Sequence, residues 1–153
     1  MHSRIYEIRE KGSKLRCEIP DWWENSEHCD YLNEESNDET KGSIEWLAEV
    51  LKCEVKDNCI TLTEEQITSY LTRRYEFFKK HLEELNNTTL QDFMGKGENV
   101  YKVGYALYNL KTDFSDEGGF WFLIGGDMYT LEEFMRYFGP GEYEIMNTWD
   151  YHF

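Results

Sequence analysis

Residues 63–85, TEEQITSYLTRRYEFFKKHLEEL, decide the fold class of this chain. Thr63 and Gln66 have the spacing of a capping box, in which each side chain bonds the backbone amide of the other residue, so a helix is predicted to begin at about residue 64. The apolar side chains that follow recur at intervals of three and four residues, which is the spacing of one buried helix face. They are Ile67, Leu71, Tyr75, Phe78, Leu82 and Leu85. Asn86 and Asn87 end the pattern, which predicts one long amphipathic helix at about 64–85.

Two shorter helices are predicted on the same grounds. The first, at about 43–52, has Ile44, Leu47 and Leu51 on its apolar stripe. The second, at about 130–138, begins with another capping-box pattern, Thr130 with Glu133, and Gly139-Pro140 follow its end.

The sequence also predicts several strands. Residues 120–124, FWFLI, form an unbroken apolar run between two glycine pairs, which favours a strand covered on both faces and makes it the candidate central strand. Alternation with a period of two predicts a further strand at 101–107. The remaining predictions are a hairpin joining 5–9 to 14–19, a hairpin over 54–61 around Asp57-Asn58, and a last strand over 143–150.

Mixed helices and hairpins favour an α+β fold over alternating βαβ units. We predict a single domain over residues 1–153, with a mainly antiparallel sheet packed against the long helix. Residues 21–39 hold eight acidic side chains and no Lys or Arg, and they are predicted to form an acidic lid or loop.

Charge limits the classes of partner. The chain has 31 acidic and 16 basic side chains, a net charge of -15, and 16% aromatic residues. The aromatic content is enough for a buried core, so we predict a folded protein with its negative charge on the surface. Nucleic-acid backbones and anionic membranes would repel it, so direct nucleic-acid or membrane binding is not expected. The chain has neither a secretory-signal pattern nor an apolar run long enough to span a bilayer, and we expect a cytoplasmic protein.

The residues typical of metal sites and covalent catalysis do not occur in recognisable spacings. Neither Cys-x-x-Cys nor His-Glu-x-x-His is found, so no metal or cofactor is predicted. The four cysteines are predicted to stay reduced, with Cys53 in the core and Cys59 exposed because they lie on opposite faces of the 54–61 hairpin. No nucleophile and base are brought together by sequence, and no catalytic residue is assigned.

Two acidic segments carry the candidate partner-binding residues. Adjacent indoles in an extended segment point in opposite directions, so Trp22-Trp23 leave one large ring available to a partner; the alternative is a local aromatic cluster beneath a loop. The acidic residues near this pair are Glu24, Glu27 and Asp30. A second acidic patch is predicted at Asp113, Asp116 and Glu117, for which the alternative is a solvated acidic rim over an aromatic core.

These features favour a non-enzymatic acidic protein that binds a basic protein partner. An inhibitor, a bacterial immunity protein or a nucleic-acid mimic would have these properties. The alternative is a small enzyme with an acidic, aromatic-lined cleft, a hydrolase acting on a sugar or a cationic substrate through paired carboxylates. The sequence predicts no particular oligomeric state.

Overall fold

The structure is a computed structural model that describes residues 2–15, 18–19, 21, 30–111 and 120–152. Contacts divide the chain into two compact units, a first unit of residues 1–68 with 117–153 and a second unit of residues 69–116. The single domain over 1–153 stays a prediction. The described elements, in chain order, are β1 (His2–Glu10), β2 (Tyr31–Glu34), α1 (Asn37–Leu51), β3 (Glu54–Lys56), β4 (Cys59–Leu62), α2 (Glu64–Asn86), α3 (Leu90–Phe93), α4 (Val100–Lys111), β5 (Phe120–Ile124), β6 (Asp127–Thr130), α5 (Leu131–Tyr137) and β7 (Gly141–His152).

The first unit is built on a seven-stranded mixed sheet in the order β3-β4-β7-β1-β5-β6, with β2 also paired to β7. Strand β7 has β1 along one side, while β4 and β2 share its other side at opposite ends. Strands β1 and β5 run parallel, and the other pairings of the described strands are antiparallel. The predicted α+β class with a mostly antiparallel sheet is therefore confirmed.

Both faces of this sheet carry apolar side chains, because successive residues of a strand point to opposite faces. On one face, Tyr6 stacks with Phe122, with ring centroids 5.6 Å apart, and Phe122 stacks with Phe134 of α5 at 4.6 Å. The Tyr6 hydroxyl donates to the Ser43 carbonyl of α1 at 2.9 Å, so α1 and α5 both pack on this face. On the other face, Ile5 belongs to a separate buried cluster with Leu123 and Tyr151.

The second unit consists of the greater part of α2, together with α3 and α4. His81 of α2 is buried and makes edge contacts with Phe77 at 4.4 Å and with Tyr105 of α4 at 5.7 Å. Asp92 of α3 accepts from the amides of Thr89 and Asn99, and these bonds tie the start of α3 to the turn before α4.

Local capping signals predicted the helix starts. The Gln66 amide donates to the Thr63 hydroxyl at 3.2 Å and the Thr63 amide donates to the Gln66 side chain at 2.8 Å, at the start of α2. The reciprocal bonds of Thr130 and Glu133 begin α5. The helices predicted at about 64–85 and 130–138 are therefore confirmed.

The predicted 54–61 hairpin is also confirmed, with Lys56 opposite Cys59 across the turn. Asp57 and Asn58 both have positive φ, 51° and 59°, as a two-residue hairpin turn requires. The assignment of Cys53 to the core and Cys59 to the surface was wrong, because both thiols are free and partly buried. Burial raises the pKa of the Cys53 thiol to about 11.

Two strand predictions at the chain start and in the sheet centre were wrong. Strand β1 does not form a hairpin with 14–19, since it pairs with β7 and β5, and residues 11–15 and 18–19 contain no strand. Strand β5 lies between β1 and β6, so β7 and β1 occupy the middle of the sheet instead. In the first case β1 pairs with the long strand β7 instead of with the residues that follow it, and in the second β7 rather than β5 lies in the middle of the sheet.

The strand predicted at 101–107 is a helix, α4. The same residues satisfy a helical period, because Val103, Ala106 and Leu110 recur at three and four residues and are the less exposed side of α4. A segment with apolar residues at nearly every position fits both periods, and the alternation at 101–107 selected the wrong one.

The predicted loop at 21–39 contains regular structure at its described end. Strand β2 occupies 31–34, and α1 begins at Asn37, earlier than the helix predicted at 43–52. The earlier start has a capping box, Ser36 with Glu39, which places two acidic residues in the first turn. Residues 22–29 lie outside the described part of the chain.

Candidate functional site

The candidate site is a cleft in the first unit where β1, β7 and α1 meet. Antiparallel pairing places Arg4 of β1 directly opposite Asp150 of β7, on the sheet face that α1 covers. The Arg4 guanidinium forms an ion pair with the Asp150 carboxylate through Nη1. Its Nε lies 2.7 Å from Oε1 of Glu35, which follows β2. One cation therefore holds two carboxylates, one from β7 and one from the residue that follows β2.

Glu35 is the most constrained of these acids, with only 6% of its side chain exposed. Besides the ion pair with Arg4, its Oε2 accepts from the Ser43 hydroxyl at 2.6 Å and from the Thr148 hydroxyl at 2.6 Å. A buried carboxylate is stable only when its oxygens are bonded and its charge is paired, and Glu35 meets both conditions. This network fixes the floor of the cleft.

Beneath the floor, the packing excludes water from one side of the network. The Thr148 and Thr40 hydroxyls are 2.9 Å apart and both residues are buried. Burial, with a smaller effect of the Glu35 charge, raises the pKa of the Tyr6 phenol well above its ordinary value, so Tyr6 remains a neutral donor to the Ser43 carbonyl. The guanidinium and its two acids are thus held on a rigid base.

The cleft has a volume of about 410 Å³ and is acidic. Its lining side chains comprise one cation and four carboxylates, three more negative than positive charges, together with polar groups and one indole. They are Arg4, Asn33, Glu34, Glu35, Glu39, Gly42, Ser43, Trp46 and Asp150.

The upper wall of the cleft combines charge with an aromatic ring. Hydrogen bonds from the Ser36 hydroxyl and amide hold the pKa of Glu39 below its ordinary value, so this carboxylate stays charged at neutral pH. Trp46 is 41% exposed, and its ring is held against Phe120, with centroids 4.4 Å apart. A cation entering the cleft would therefore meet a fixed indole and fixed carboxylates.

Asp30 extends this arrangement along the rim. Its Oδ2 lies 2.8 Å from Nδ1 of His152, and the His152 ring stacks on Tyr31 with centroids 5.2 Å apart. The Tyr31 hydroxyl in turn donates to Oδ2 of Asp150 at 3.3 Å. Of the eight side chains predicted to bind a partner, Asp30 lies within the described residues and is connected to the cleft by these contacts.

The other seven predicted side chains lie outside the described residues. Trp22, Trp23, Glu24 and Glu27 belong to the stretch 22–29, and Asp113, Asp116 and Glu117 belong to the stretch 112–119. Their part in partner binding stays a prediction.

Sequence patterns contain little signal for the residues that form the cleft. Arg4 and Asp150 are 146 residues apart and meet only because β1 pairs with β7. Trp46 lies beside the apolar stripe of the helix predicted at 43–52, and Glu35 is one of the eight acidic residues of 21–39, a segment with no Lys or Arg. A buried carboxylate needs a cation nearby. Because 21–39 contain no Lys or Arg, the available signal was that such a cation must come from another segment, as Arg4 does.

The net charge is not shared equally by the two units. Residues 69–116 contain seven basic and seven acidic side chains, so the whole net charge of -15 belongs to the residues of the first unit. The cleft therefore lies in the unit that carries all of the surplus negative charge.

Among the described residues, no helix has the length and apolar character needed to cross a membrane. Within the same ranges, His, Cys, Asp and Glu side chains form no group of three that could hold a metal ion. The chain matches no protein-family model, no curated protein and no solved structure.

Proposed function

We propose that this chain binds a basic protein and that the cleft at Arg4 receives a Lys or Arg side chain of that partner. The observation that carries the proposal is the excess of three negative charges around an exposed indole in one fixed cleft. An inhibitor, an immunity protein or a nucleic-acid mimic would act in this way, by covering the basic surface of its target.

The lining favours a cation over other guests. An ammonium or guanidinium group lying on the Trp46 ring gains a cation–π contact, and Glu34 and Glu39 supply carboxylate acceptors beside it. The cleft volume is near the lower end of the range of about 300–1,000 Å³ for small-ligand sites, which suits one side chain better than a folded ligand.

Arg4 supports this role by fixing the two deeper carboxylates through its ion pairs with Glu35 and Asp150. Groups that are already held in place lose less conformational entropy on binding, so more of the interaction energy appears as affinity. The surplus charge of the first unit adds long-range attraction for a basic partner, which raises the association rate and is screened by salt.

The hydrolase alternative receives no specific support from this cleft. Both Glu35 oxygens are already engaged by Arg4 and two hydroxyls, and the carboxylate is buried. A general acid or base must reach the substrate proton, and Glu35 lies in the floor instead.

Two binding experiments test the proposal. Immobilised chain is exposed to lysate at about 20 and about 150 mM salt, and retained proteins are identified; we expect basic proteins whose retention falls with salt. An arginine-containing peptide from a retained protein is then titrated against the chain, with a citrulline version as the uncharged control. We expect Trp46-dependent binding of the arginine peptide only.

The matched variants separate the cleft from general acidity. Glu34→Gln with Glu39→Gln removes two cleft charges, whereas Glu45→Gln with Glu49→Gln removes two exposed charges of α1 outside it. We expect the first pair to weaken peptide binding at least tenfold and the second pair by less than threefold. Equal effects of the two pairs, or equal binding of the citrulline peptide, would contradict a specific cation site.

A further inference from the structure

The second unit has an exposed aromatic face that the proposed function does not use. On α4, Tyr101, Tyr105 and Tyr108 recur at four and three residues and are 82%, 50% and 52% exposed. Tyr101 and Tyr105 stack with ring centroids 6.4 Å apart. These three residues, the tyrosine stripe, lie on the side of the helix opposite Val103, Ala106 and Leu110, because 3.6 residues make one turn.

Gly104 lies within the tyrosine stripe, one turn from both Tyr101 and Tyr108. A Cβ added there would meet no atom of the described chain within 4 Å, and its φ is not positive, so neither packing nor backbone conformation requires glycine. Glycine in a helix interior costs about 1 kcal/mol relative to alanine. A small residue between large exposed rings instead gives another helix room to approach.

We propose that the tyrosine stripe is the contact between two copies of this chain. Residues 1–68 and 117–153 carry the full net charge of -15, so two copies repel each other wherever their first units meet. The second unit is neutral in formal charge and presents apolar rings, so it is where two such anions can approach without that repulsion.

The exposed area is sufficient for a weak, specific contact. With about 200 Å² per tyrosine, the stripe exposes roughly 370 Å² in each copy. Helix α3 contacts α4 and exposes Leu90 and Phe93 as well, at 70% and 83%. Two copies together expose more than about 1,000 Å² on these five side chains, which reaches the lower limit for a specific interface, and we expect a weak dimer.

The same stripe on both copies implies a two-fold arrangement with the two α4 helices side by side. In such a contact each residue meets its symmetry-related patch, and association ends at the dimer. A contact between the acidic cleft of one copy and a basic patch of the next would instead be head-to-tail and would continue into longer chains.

The response to salt distinguishes dimerisation through the tyrosine stripe from head-to-tail association through the acidic cleft. Sedimentation velocity of the full chain from about 1 to about 500 μM, at about 50 and about 500 mM salt, should show a monomer–dimer equilibrium that tightens at high salt, because screening weakens the repulsion between the first units. A chain that stays monomeric throughout this range would overturn the proposal. So would association that weakens with salt, or association that grows beyond dimers.

Four variants locate the contact. Tyr101→Ser with Tyr108→Ser should raise the dimer Kd at least tenfold, whereas Tyr137→Ser, which changes a tyrosine of α5 that is 68% exposed, should leave it within twofold. Gly104→Ala should weaken dimerisation at least fivefold without lowering the thermal midpoint of the monomer. If Gly104→Ala leaves the Kd unchanged, or if Glu34→Gln with Glu39→Gln weakens dimerisation as strongly as the tyrosine changes, the contact is not at α4.

Discussion

Glu35→Gln tests whether the ion network forms the floor of the cleft. Glu35 takes part in one ion pair with Arg4 and accepts two hydroxyl hydrogen bonds, in a side chain that is 6% exposed. Removing one partner of a fully buried ion pair costs about 3–5 kcal/mol. Arg4 is 26% exposed and keeps Asp150, and glutamine keeps the shape and an acceptor oxygen, so we expect a smaller loss of about 2 kcal/mol.

Urea unfolding at neutral pH, followed by far-UV circular dichroism, measures this loss as a change in the free energy of unfolding. Glu34→Gln is the matched control: it removes an adjacent exposed carboxylate that accepts one bond from Asn147, and we expect a change within about 0.5 kcal/mol. A double-mutant cycle of Glu35→Gln with Arg4→Gln should give a coupling energy of at least about 1 kcal/mol. If Glu35→Gln costs no more than Glu34→Gln, or if the coupling is absent, the two residues do not form the network described above.

Four further predictions concern local structure and titration. Asn58 has positive φ in a two-residue turn, so Asn58→Gly should keep or raise the free energy of unfolding, whereas Asn58→Val should lower it by about 1–2 kcal/mol in the same urea assay. A Cβ at Gly97 would overlap the Asp92 carboxylate and lie 2.8 Å from Asp92 Cα, so Gly97→Ala should lower the free energy of unfolding by at least about 2 kcal/mol, whereas Gly104→Ala, at a position with open space and no positive φ, should not lower it. Bonds from the Thr89 hydroxyl and amide hold the pKa of the Asp92 carboxyl below its ordinary value. The charged carboxylate therefore contributes fully to the free energy of unfolding above the ordinary pKa, and this contribution is lost as pH falls through the lowered pKa. Urea unfolding from neutral to acid pH should show a shallower loss of stability for Asp92→Asn than for the unchanged chain. Because burial raises the pKa of Cys53 to about 11, a variant retaining only this cysteine should react slowly with a disulfide reagent at pH 8 and faster as pH approaches that value.

Signals that span a few residues predicted the local structure well. The Thr63–Gln66 and Thr130–Glu133 capping boxes and the Asp57-Asn58 turn each depend on contacts within four residues, and each forms as its sequence indicates. Such patterns fix where an element begins and how a tight turn is made. They do not say which strands become neighbours.

The long-range pairings were not predictable from these patterns. Nothing in β1 indicates that its partners are β7, near the other end of the chain, and β5. The cleft depends on that pairing, because Arg4 meets Asp150 only across β1 and β7. Helix α4 shows a second limit, since a segment that is apolar on most sides fits the periods of strand and helix alike.

The sheet also accounts for where the surplus negative charge remains. Three cations near the start of the chain are used across the β1–β7 seam: Arg4 pairs with Glu35 and Asp150, Arg9 with Glu144, and Lys11 with Glu142. These pairs engage three of the nine basic side chains of the first unit within its own sheet. Its acids outnumber its bases by fifteen, and cations from outside must balance the remainder. Salt ions do so weakly, whereas a partner with clustered Lys and Arg would pair with many of these charges at once and associate faster. The same excess of negative charge opposes contact between copies through the first unit. The two proposed interactions should therefore respond to salt in opposite directions. As salt rises, the basic partner should bind less tightly and the second copy of the chain should bind more tightly.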